Sequence, residues 1–155
     1  MTRQLRFLVV DDEPTSRLTL KKLFERYGEV DEAEGGVEAV MLFRKAVAEK
    51  TPYHLITLDM NMPTMDGLTV LECMRGLEVV HRSLPKVKVL MATGESQPEM
   101  IKGTIRLGAE GYLLKPLDLV LLEAKVREIF SMPLTVEQKG KLTSGPKRRP
   151  APVAG

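Results

Sequence analysis

Cysteine, tryptophan and long apolar runs are scarce or absent in this sequence. The 155 residues include one cysteine and no tryptophan, and aromatic residues make up only 5%. A single cysteine excludes a disulfide framework and favours a reducing compartment. No stretch approaches the roughly 18 apolar residues that a membrane span needs, and the N-terminal residues meet acidic side chains too early for a secretion signal. We therefore expect a cytoplasmic protein.

Apolar residues are sufficient for one well-buried core, since they make up 43% of a chain of this length. Residues 135–155 differ from the rest, with five lysines and arginines against one acid and many Pro, Gly and Ala residues. Such a segment cannot offset the entropy of ordering. We predict a folded domain over residues 1–134 and a disordered basic tail over 135–155. A tail that binds nucleic acid or a membrane is the alternative, although it has no aromatic residue and no helical periodicity.

Short apolar runs alternate with longer stretches that have helical periodicity. Each run has about four to six residues without polar alternation, which is typical of strands buried on both faces. The runs are LRFLVV, HLITL, VKVLMA and GYLL, with EVDEA as a weaker edge strand. Pro14 suits the first turn of a helix and Asp66 can cap another. Five alternations of strand and helix predict an α/β fold, a doubly wound five-stranded parallel sheet with helices on both faces.

Three acidic residues follow two of these predicted strands. Asp11 and Asp12 follow LRFLVV, and Asp59 follows HLITL. Since such a sheet places its chemistry at the carboxyl ends of its strands, we expect these carboxylates to converge. Two like charges about 4 Å apart repel by about 4 kcal/mol at an intermediate dielectric. A site of oxygen ligands with this excess charge indicates a hard divalent cation, and Mg²⁺ fits best.

Two further strand ends supply complementary groups. Thr93 follows VKVLMA with a hydroxyl, and Lys115 follows GYLL with a positive charge. A carboxylate nucleophile, a metal ion, a hydroxyl and an ammonium group are together what phosphoryl transfer needs, because that chemistry depends on positioning and on charge neutralisation. The combination therefore predicts a phosphoryl-transfer site.

Four motifs at these positions, VVDDEP, DMNMPTMDGL, MATGE and GAEGYLLKP, carry a family resemblance. Residues 5 to about 131 resemble the receiver domain of two-component response regulators, and among them the stand-alone chemotaxis-type, CheY-like receivers. The resemblance implies the strand order 2-1-3-4-5. It also implies that Asp59 accepts a phosphoryl group from a histidine kinase or phosphotransfer protein. Mg²⁺ would be held by Asp12, Asp59 and the backbone carbonyl of Asn61, with Asp11 acting indirectly.

The same resemblance assigns a switch and a partner surface. Thr93 and Tyr112 would form the switch, Lys115 would contact the phosphoryl oxygens, and Pro116 would follow a cis peptide bond. The downstream protein would bind the face formed by the fourth helix, the fifth strand and the fifth helix. No DNA-binding domain is expected in the two dozen residues that follow the predicted receiver domain. For the oligomeric state, the sequence is compatible with a monomer and with a phosphorylation-dependent dimer.

Asn61 and Glu95 match the pair of positions that tunes dephosphorylation in this family, and their small polar character implies a short-lived phosphorylated state. Two features depart from the chemotaxis type. The stretch GLEVVHRSLPKVK is longer and more basic than a minimal loop, and Leu117 stands where an aromatic residue commonly follows Lys-Pro. Both put chemotaxis-specific binding in doubt, while the predicted phosphorylation chemistry is unaffected.

Two alternative functions are compatible with parts of the pattern. A metal-dependent phosphatase with an aspartyl-phosphate intermediate also uses Asp, Mg²⁺, Thr and Lys, but such enzymes need an acid two residues after the nucleophile. Asn61 occupies that position here, so we expect no enzyme. A receiver fold kept only as an interaction module is the second alternative, although such modules tend to lose the acids or the lysine.

Overall fold

The computed structural model describes residues 4–94 and 98–130. Five strands alternate with five helices in this part of the chain. Two compact units are distinguished, one up to Leu119 and one from Val120 onward, and each is described by itself. No helix among the described residues is long and apolar enough to cross a membrane. The elements are β1 Leu5–Val10, α1 Pro14–Phe24, β2 Gly28–Ala33, α2 Gly36–Ala48, β3 Leu55–Asp59, α3 Gly67–Val80, β4 Lys88–Thr93, α4 Pro98–Arg106, β5 Gly111–Leu114 and α5 Leu119–Phe130.

The five strands form one parallel sheet in the order β2-β1-β3-β4-β5. This order confirms the predicted fold class and the implied topology. The bounds of β3 differ slightly from the predicted strand, because the pairing between β3 and β4 continues to Asp59 opposite Ala92. Asp59 is therefore the last residue of β3. The tail predicted over residues 135–155, and the boundary at residue 134, lie outside the described residues.

Alternate side chains of the strands pack on opposite faces of the sheet, as the two-residue period of a strand requires. On one face, the Phe7 ring of β1 stacks on Phe24 of α1, with ring centroids 4.6 Å apart. On the other face, Leu8 belongs to a buried cluster with Phe43 of α2 and Met74 of α3. Both faces of β1 are thus covered, which explains its uninterrupted apolar sequence.

Helix α3 begins directly against the end of β3. Asp66 caps the helix, because its side chain accepts a hydrogen bond from the Thr69 backbone N–H at 2.9 Å. Gly67 follows, and a Cβ atom there would lie 2.5 Å from the backbone oxygen of Asp59. Only glycine permits this approach, so the sequence Asp66-Gly67 places the helix start beside the predicted acceptor.

An ion pair between Arg75 and Glu78 ties the far end of α3 to its neighbours, and we call it the Arg75–Glu78 network. The two side chains are 2.8 Å apart, with 14% and 7% of their surface exposed. Arg75 also donates to the backbone oxygens of Leu107 at 2.7 Å and Val87 at 3.0 Å. Glu78 accepts the Val87 N–H at 2.7 Å. The network holds the long basic loop before β4 and the turn after α4.

Strand β2 lies at one edge of the sheet and is rich in acids. Its residues include Glu29, Asp31 and Glu32. Arg6 of β1 reaches the Asp31 carboxylate at 3.2 Å, and the hydroxyl of Tyr53 donates to the same carboxylate at 2.6 Å. The edge is therefore polar and partly neutralised, which is typical of exposed edge strands.

Candidate functional site

The three predicted acids lie together at the carboxyl edge of the sheet. Asp11 and Asp12 directly follow β1, and Asp59 ends β3, the neighbouring strand. One carboxylate oxygen from each lies within 4.8 Å of the others. Asp11 and Asp59 are buried, whereas Asp12 is exposed. The cluster can therefore be reached from solvent on the side of Asp12.

Lys115 follows β5 and extends to the same cluster. Its Nζ lies 2.9 Å from Oδ2 of Asp11 and 3.3 Å from Oδ2 of Asp59. Glu13 lies at 3.5 Å from the same nitrogen. One ammonium group thus contacts Asp11, Asp59 and Glu13, while Asp12 adds a further carboxylate to the cluster. The site therefore keeps an excess of negative charge.

The electrostatics of Asp59 reflect this excess. Burial, followed by the negative charge of Asp11, raises the pKa of Asp59 to about 7. The Lys115 ammonium and the N–H of Asn61, which donates to Oδ1 of Asp59 at 3.2 Å, oppose this rise without cancelling it. Burial alone would lower the pKa of Lys115, but its contacts with Asp11 and Asp59 outweigh burial and raise it. A second cation bound at the cluster would therefore favour the ionised form of Asp59.

The remaining predicted site residues are distributed around the cluster. Thr93 ends β4 and is buried, and its backbone oxygen accepts the N–H of Lys115 at 2.9 Å. Asn61 is exposed. The peptide bond between Lys115 and Pro116 is cis, as the resemblance implies. Glu95 lies outside the described residues, so its tuning role stays a prediction.

Tyr112 lies on β5 with its hydroxyl held against α4. The hydroxyl donates to the backbone oxygen of Ile101 at 2.7 Å and also makes a hydrogen bond with the hydroxyl of Thr104. Burial raises the pKa of Tyr112. The aromatic residue that the resemblance assigns to the switch is thus connected to α4 through a buried threonine.

One residue near the site was missed by the sequence analysis. Arg17, in the first turns of α1, donates from Nη1 to the backbone oxygen of Asp11 at 2.8 Å. Arg17 lies six residues after Asp11, on the helix that follows the acids, and this position is the only sequence signal for the contact. The signal is weak, because an arginine at such a position can equally well be exposed to solvent.

A five-stranded parallel sheet in the order 2-1-3-4-5, with aspartates at the carboxyl ends of β1 and β3 and a lysine after β5, is the architecture of a receiver domain. The sequence model of the family described as "Response regulator receiver domain" matches residues 7–127. The chain therefore belongs to the response regulator receiver family of two-component signalling, and it is CheY-like.

Relatives of known name support this assignment. The chain is 30% identical over 132 residues to chemotaxis protein CheY-3 of Vibrio cholerae. The aligned region covers 84% of this chain and 95% of the relative. Its fold is similar to the receiver domain of the histidine kinase CKI1 from Arabidopsis thaliana in complex with Mg²⁺ and BeF₃⁻. That structure has a TM-score of 0.71 and 27% identity, with 83% of this chain and 91% of the other covered.

A similar structure is found in the CheX-CheY-BeF₃⁻-Mg²⁺ complex of Borrelia burgdorferi. The TM-score is 0.70 and the identity 26%, with 81% of this chain and 89% of the other covered. Two different receivers with this fold thus have Mg²⁺ in their solved structures.

Proposed function

We propose that the chain accepts a phosphoryl group on Asp59 from the histidine of a kinase or a phosphotransfer protein. The observation that carries the proposal is the convergence of three carboxylates and one ammonium group at the carboxyl edge of the sheet. In this arrangement a nucleophilic carboxylate lies beside groups that can neutralise the charge of a phosphoryl group.

The donor set of the site fits Mg²⁺. All candidate ligands are oxygens, the charge of the three carboxylates exceeds that of the Lys115 ammonium, and one of the acids is exposed for access. Asp12, Asp59 and the backbone carbonyl of Asn61 would hold the ion, and Asp11 would act indirectly. When bound, Mg²⁺ neutralises charge on the carboxylates and on the phosphoryl oxygens.

The transfer itself is a substitution at phosphorus. An ionised carboxylate oxygen of Asp59 forms the new P–O bond, the P–N bond to the donor histidine breaks, and its imidazole leaves with the electron pair. The Lys115 ammonium, already 3.3 Å from Asp59, is placed to contact the phosphoryl oxygens. The hydroxyl of Thr93 donates to them from the next strand.

The switch follows from a change of partners around the new group. Phosphorylation adds about two negative charges and several acceptors at Asp59, which attract Lys115 and Thr93. A shift of Thr93 makes room beside β5, where Tyr112 is hydrogen bonded to α4. The downstream protein would then bind α4 and β5, where Ile105 and Leu114 are exposed. α5 belongs to the second unit, and its share of this face stays a prediction.

The lifetime of the phosphorylated state is assigned to Asn61 and Glu95. Asn61 follows the acceptor by two residues and is exposed, so a small polar side chain there leaves a path for water. We also propose that the chain is not an enzyme acting on external phosphate esters, because Asn61 cannot supply the proton that an alcohol leaving group needs.

The test is phosphorylation with acetyl phosphate and Mg²⁺, followed by intact mass spectrometry over time. We expect a transient gain of one phosphoryl group in the wild-type chain and none in Asp59→Asn. The matched control is Asp66→Asn, since Asp66 is a carboxylate of the same loop that only caps α3, and asparagine also caps helices well.

Two outcomes would contradict the proposal. Steady hydrolysis of p-nitrophenyl phosphate that depends on Asp59 would indicate a phosphatase. Absence of any phosphoryl gain in a folded wild-type chain, with Mg²⁺ present, would favour a module that acts only through binding.

A further inference from the structure

The Arg17 guanidinium joins the ends of two strands beside the acidic cluster. Its side chain is only 14% exposed. Besides its 2.8 Å hydrogen bond to the Asp11 backbone oxygen, it pairs with Glu32 of β2 at 3.2 Å and with Glu34, just after β2, at 3.7 Å. One planar group thus reaches a carbonyl and two carboxylates, which a lysine ammonium cannot do with the same geometry.

The backbone of Asp11 depends on these contacts. Its N–H donates to the oxygen of Ala33 at 3.1 Å, but the paired residues of β1 and β2 end at Val10 and Ala33. The Asp11 carbonyl lies beyond that ladder, and Arg17 is its hydrogen-bond donor. The Asp11 carbonyl is part of the peptide bond between Asp11 and Asp12. The orientation of this peptide therefore sets the direction in which the exposed Asp12 side chain leaves the backbone.

We propose that Arg17 is a positioning residue for the Mg²⁺ site. It fixes the peptide between Asp11 and Asp12 and so directs the Asp12 carboxylate toward the other two acids. The inference rests on the proposed function, since it concerns the ion that Asp12 would hold. It adds to that function a residue that contacts neither the ion nor the phosphoryl group.

Charge and geometry predict opposite effects for this residue. If Arg17 acted only through its charge, its removal would strengthen Mg²⁺ binding, because the guanidinium repels a cation. If Arg17 positions Asp12, its removal weakens Mg²⁺ binding even though a repulsive charge is lost. The sign of the change in affinity therefore separates the two accounts.

The experiment measures Mg²⁺ affinity by titration calorimetry on the full chain without any phosphoryl donor. In Arg17→Gln we expect an affinity about tenfold lower than in the wild type, which is the scale of outer-shell effects on metal sites. Arg44→Gln is the matched control, because Arg44 is exposed on α2 and the change removes the same charge. We expect its affinity to stay within about twofold of the wild type. The amide NMR signals of Asp12 and Glu13 in metal-free Arg17→Gln should shift, whereas those in Arg44→Gln should not.

Unchanged or tighter Mg²⁺ binding in folded Arg17→Gln would overturn the positioning role while leaving the proposed function intact. Absence of Mg²⁺ binding in the wild type would instead contradict the proposed metal site, and this inference with it. If Arg17→Gln does not fold, Arg17→Lys takes its place, since lysine keeps the charge and the aliphatic stem. Weaker binding in Arg17→Lys supports the proposal, and wild-type or tighter binding overturns it.

Discussion

Glu78 and Asp59 are two carboxylates that are buried to a similar degree, one beside the start of β4 and the other at the end of β3. Their side chains keep 7% and 6% of their surface exposed. Both oxygens of Glu78 have partners, one in the Arg75 guanidinium and one in the Val87 N–H. Both oxygens of Asp59 also have partners, the Asn61 N–H and the Lys115 ammonium. Asp59 shares that ammonium with other acids, however, and its pKa is raised to about 7.

The difference shows that burial alone does not indicate the role of a charged group. A buried acid whose charge and hydrogen bonds are balanced has a structural role, because removing it alone leaves the charge of its partner buried and uncompensated. A buried acid in a cluster with excess negative charge lowers the stability of the fold when it is ionised, because it is repelled by its neighbours. A bound ligand of opposite charge can offset this repulsion. The Arg75–Glu78 network belongs to the first kind and the acidic cluster to the second.

The strongest test of this contrast is Glu78→Ala. Removing the carboxylate leaves the Arg75 guanidinium and the Val87 N–H without this partner, so we expect a loss of about 3 kcal/mol in the free energy of unfolding. Urea denaturation measures the change. Glu72→Ala is the control, because Glu72 is exposed on the same helix, and its effect should stay within about 0.5 kcal/mol. Equal effects of the two substitutions on the free energy of unfolding would contradict a structural role of the Arg75–Glu78 network.

The pH dependence of stability tests the other side of the contrast. In metal-free buffer, the pKa of Asp59 is about 7 in the folded chain against 3.8 for a free aspartate. Between these values the folded chain binds more protons than the unfolded chain, so stability falls as pH rises from 4 to 7 and levels off above that range. Relative to Asp59→Asn, we expect the wild type to lose about 2 kcal/mol between about pH 5 and pH 7.

Thermal or urea unfolding of both chains over that pH range gives the difference. Saturating Mg²⁺ should remove most of it in the wild type and have little effect on Asp59→Asn, because the ion stabilises the ionised carboxylate. Parallel pH profiles of the two chains without metal would mean that Asp59 is not under electrostatic strain.

A smaller effect is expected at Thr57, which precedes Asp59 by two residues on β3. Its hydroxyl is buried and has no hydrogen-bond partner among the described residues. Thr57→Val replaces the hydroxyl with a methyl group of similar shape, so we expect a gain of about 1 kcal/mol in the free energy of unfolding. Thr69→Val, at an exposed helix position, is the control and should have almost no effect. A loss of stability at Thr57 would point to a partner for its hydroxyl.

Asp12→Ala should have the smallest effect on stability. Asp12 is exposed and adds to the repulsion within the cluster, so its removal without metal should leave the free energy of unfolding unchanged or slightly higher. Mg²⁺ affinity measured on the same samples should fall. A clear loss of stability in metal-free buffer would contradict the excess of negative charge proposed for the site.

The sequence predicted the fold and the side chains that meet at the carboxyl edge of the sheet because both depend on local patterns. Apolar runs located the strands, and the residues at their carboxyl ends, Asp11, Asp59 and Lys115, follow from the topology alone. The family resemblance supplied the strand order, which the structure confirms. The roles assigned to Asn61 and Glu95 in dephosphorylation stay predictions.

The arginine contacts could not be predicted in the same way. Arg17 and Arg75 bind backbone oxygens, and any residue type can supply such an acceptor. Glu72 and Glu78 lie on the same helix, and only the folded loop before β4 distinguishes the buried one from the exposed one. Such contacts depend on which segments meet in space, and composition and periodicity carry little information about that.

The acidic edge strand β2 has a consequence for the behaviour of the protein at high concentration. A second copy that tried to extend the sheet at this edge would bring its own Glu29, Asp31 and Glu32 close to the same residues of the first. The negative charge that Arg6 and Arg17 leave unbalanced at this edge opposes such strand addition. The repulsion weakens once salt exceeds about 0.1 M. The β2 edge of the sheet is thereby protected against pairing with the same edge of a second copy.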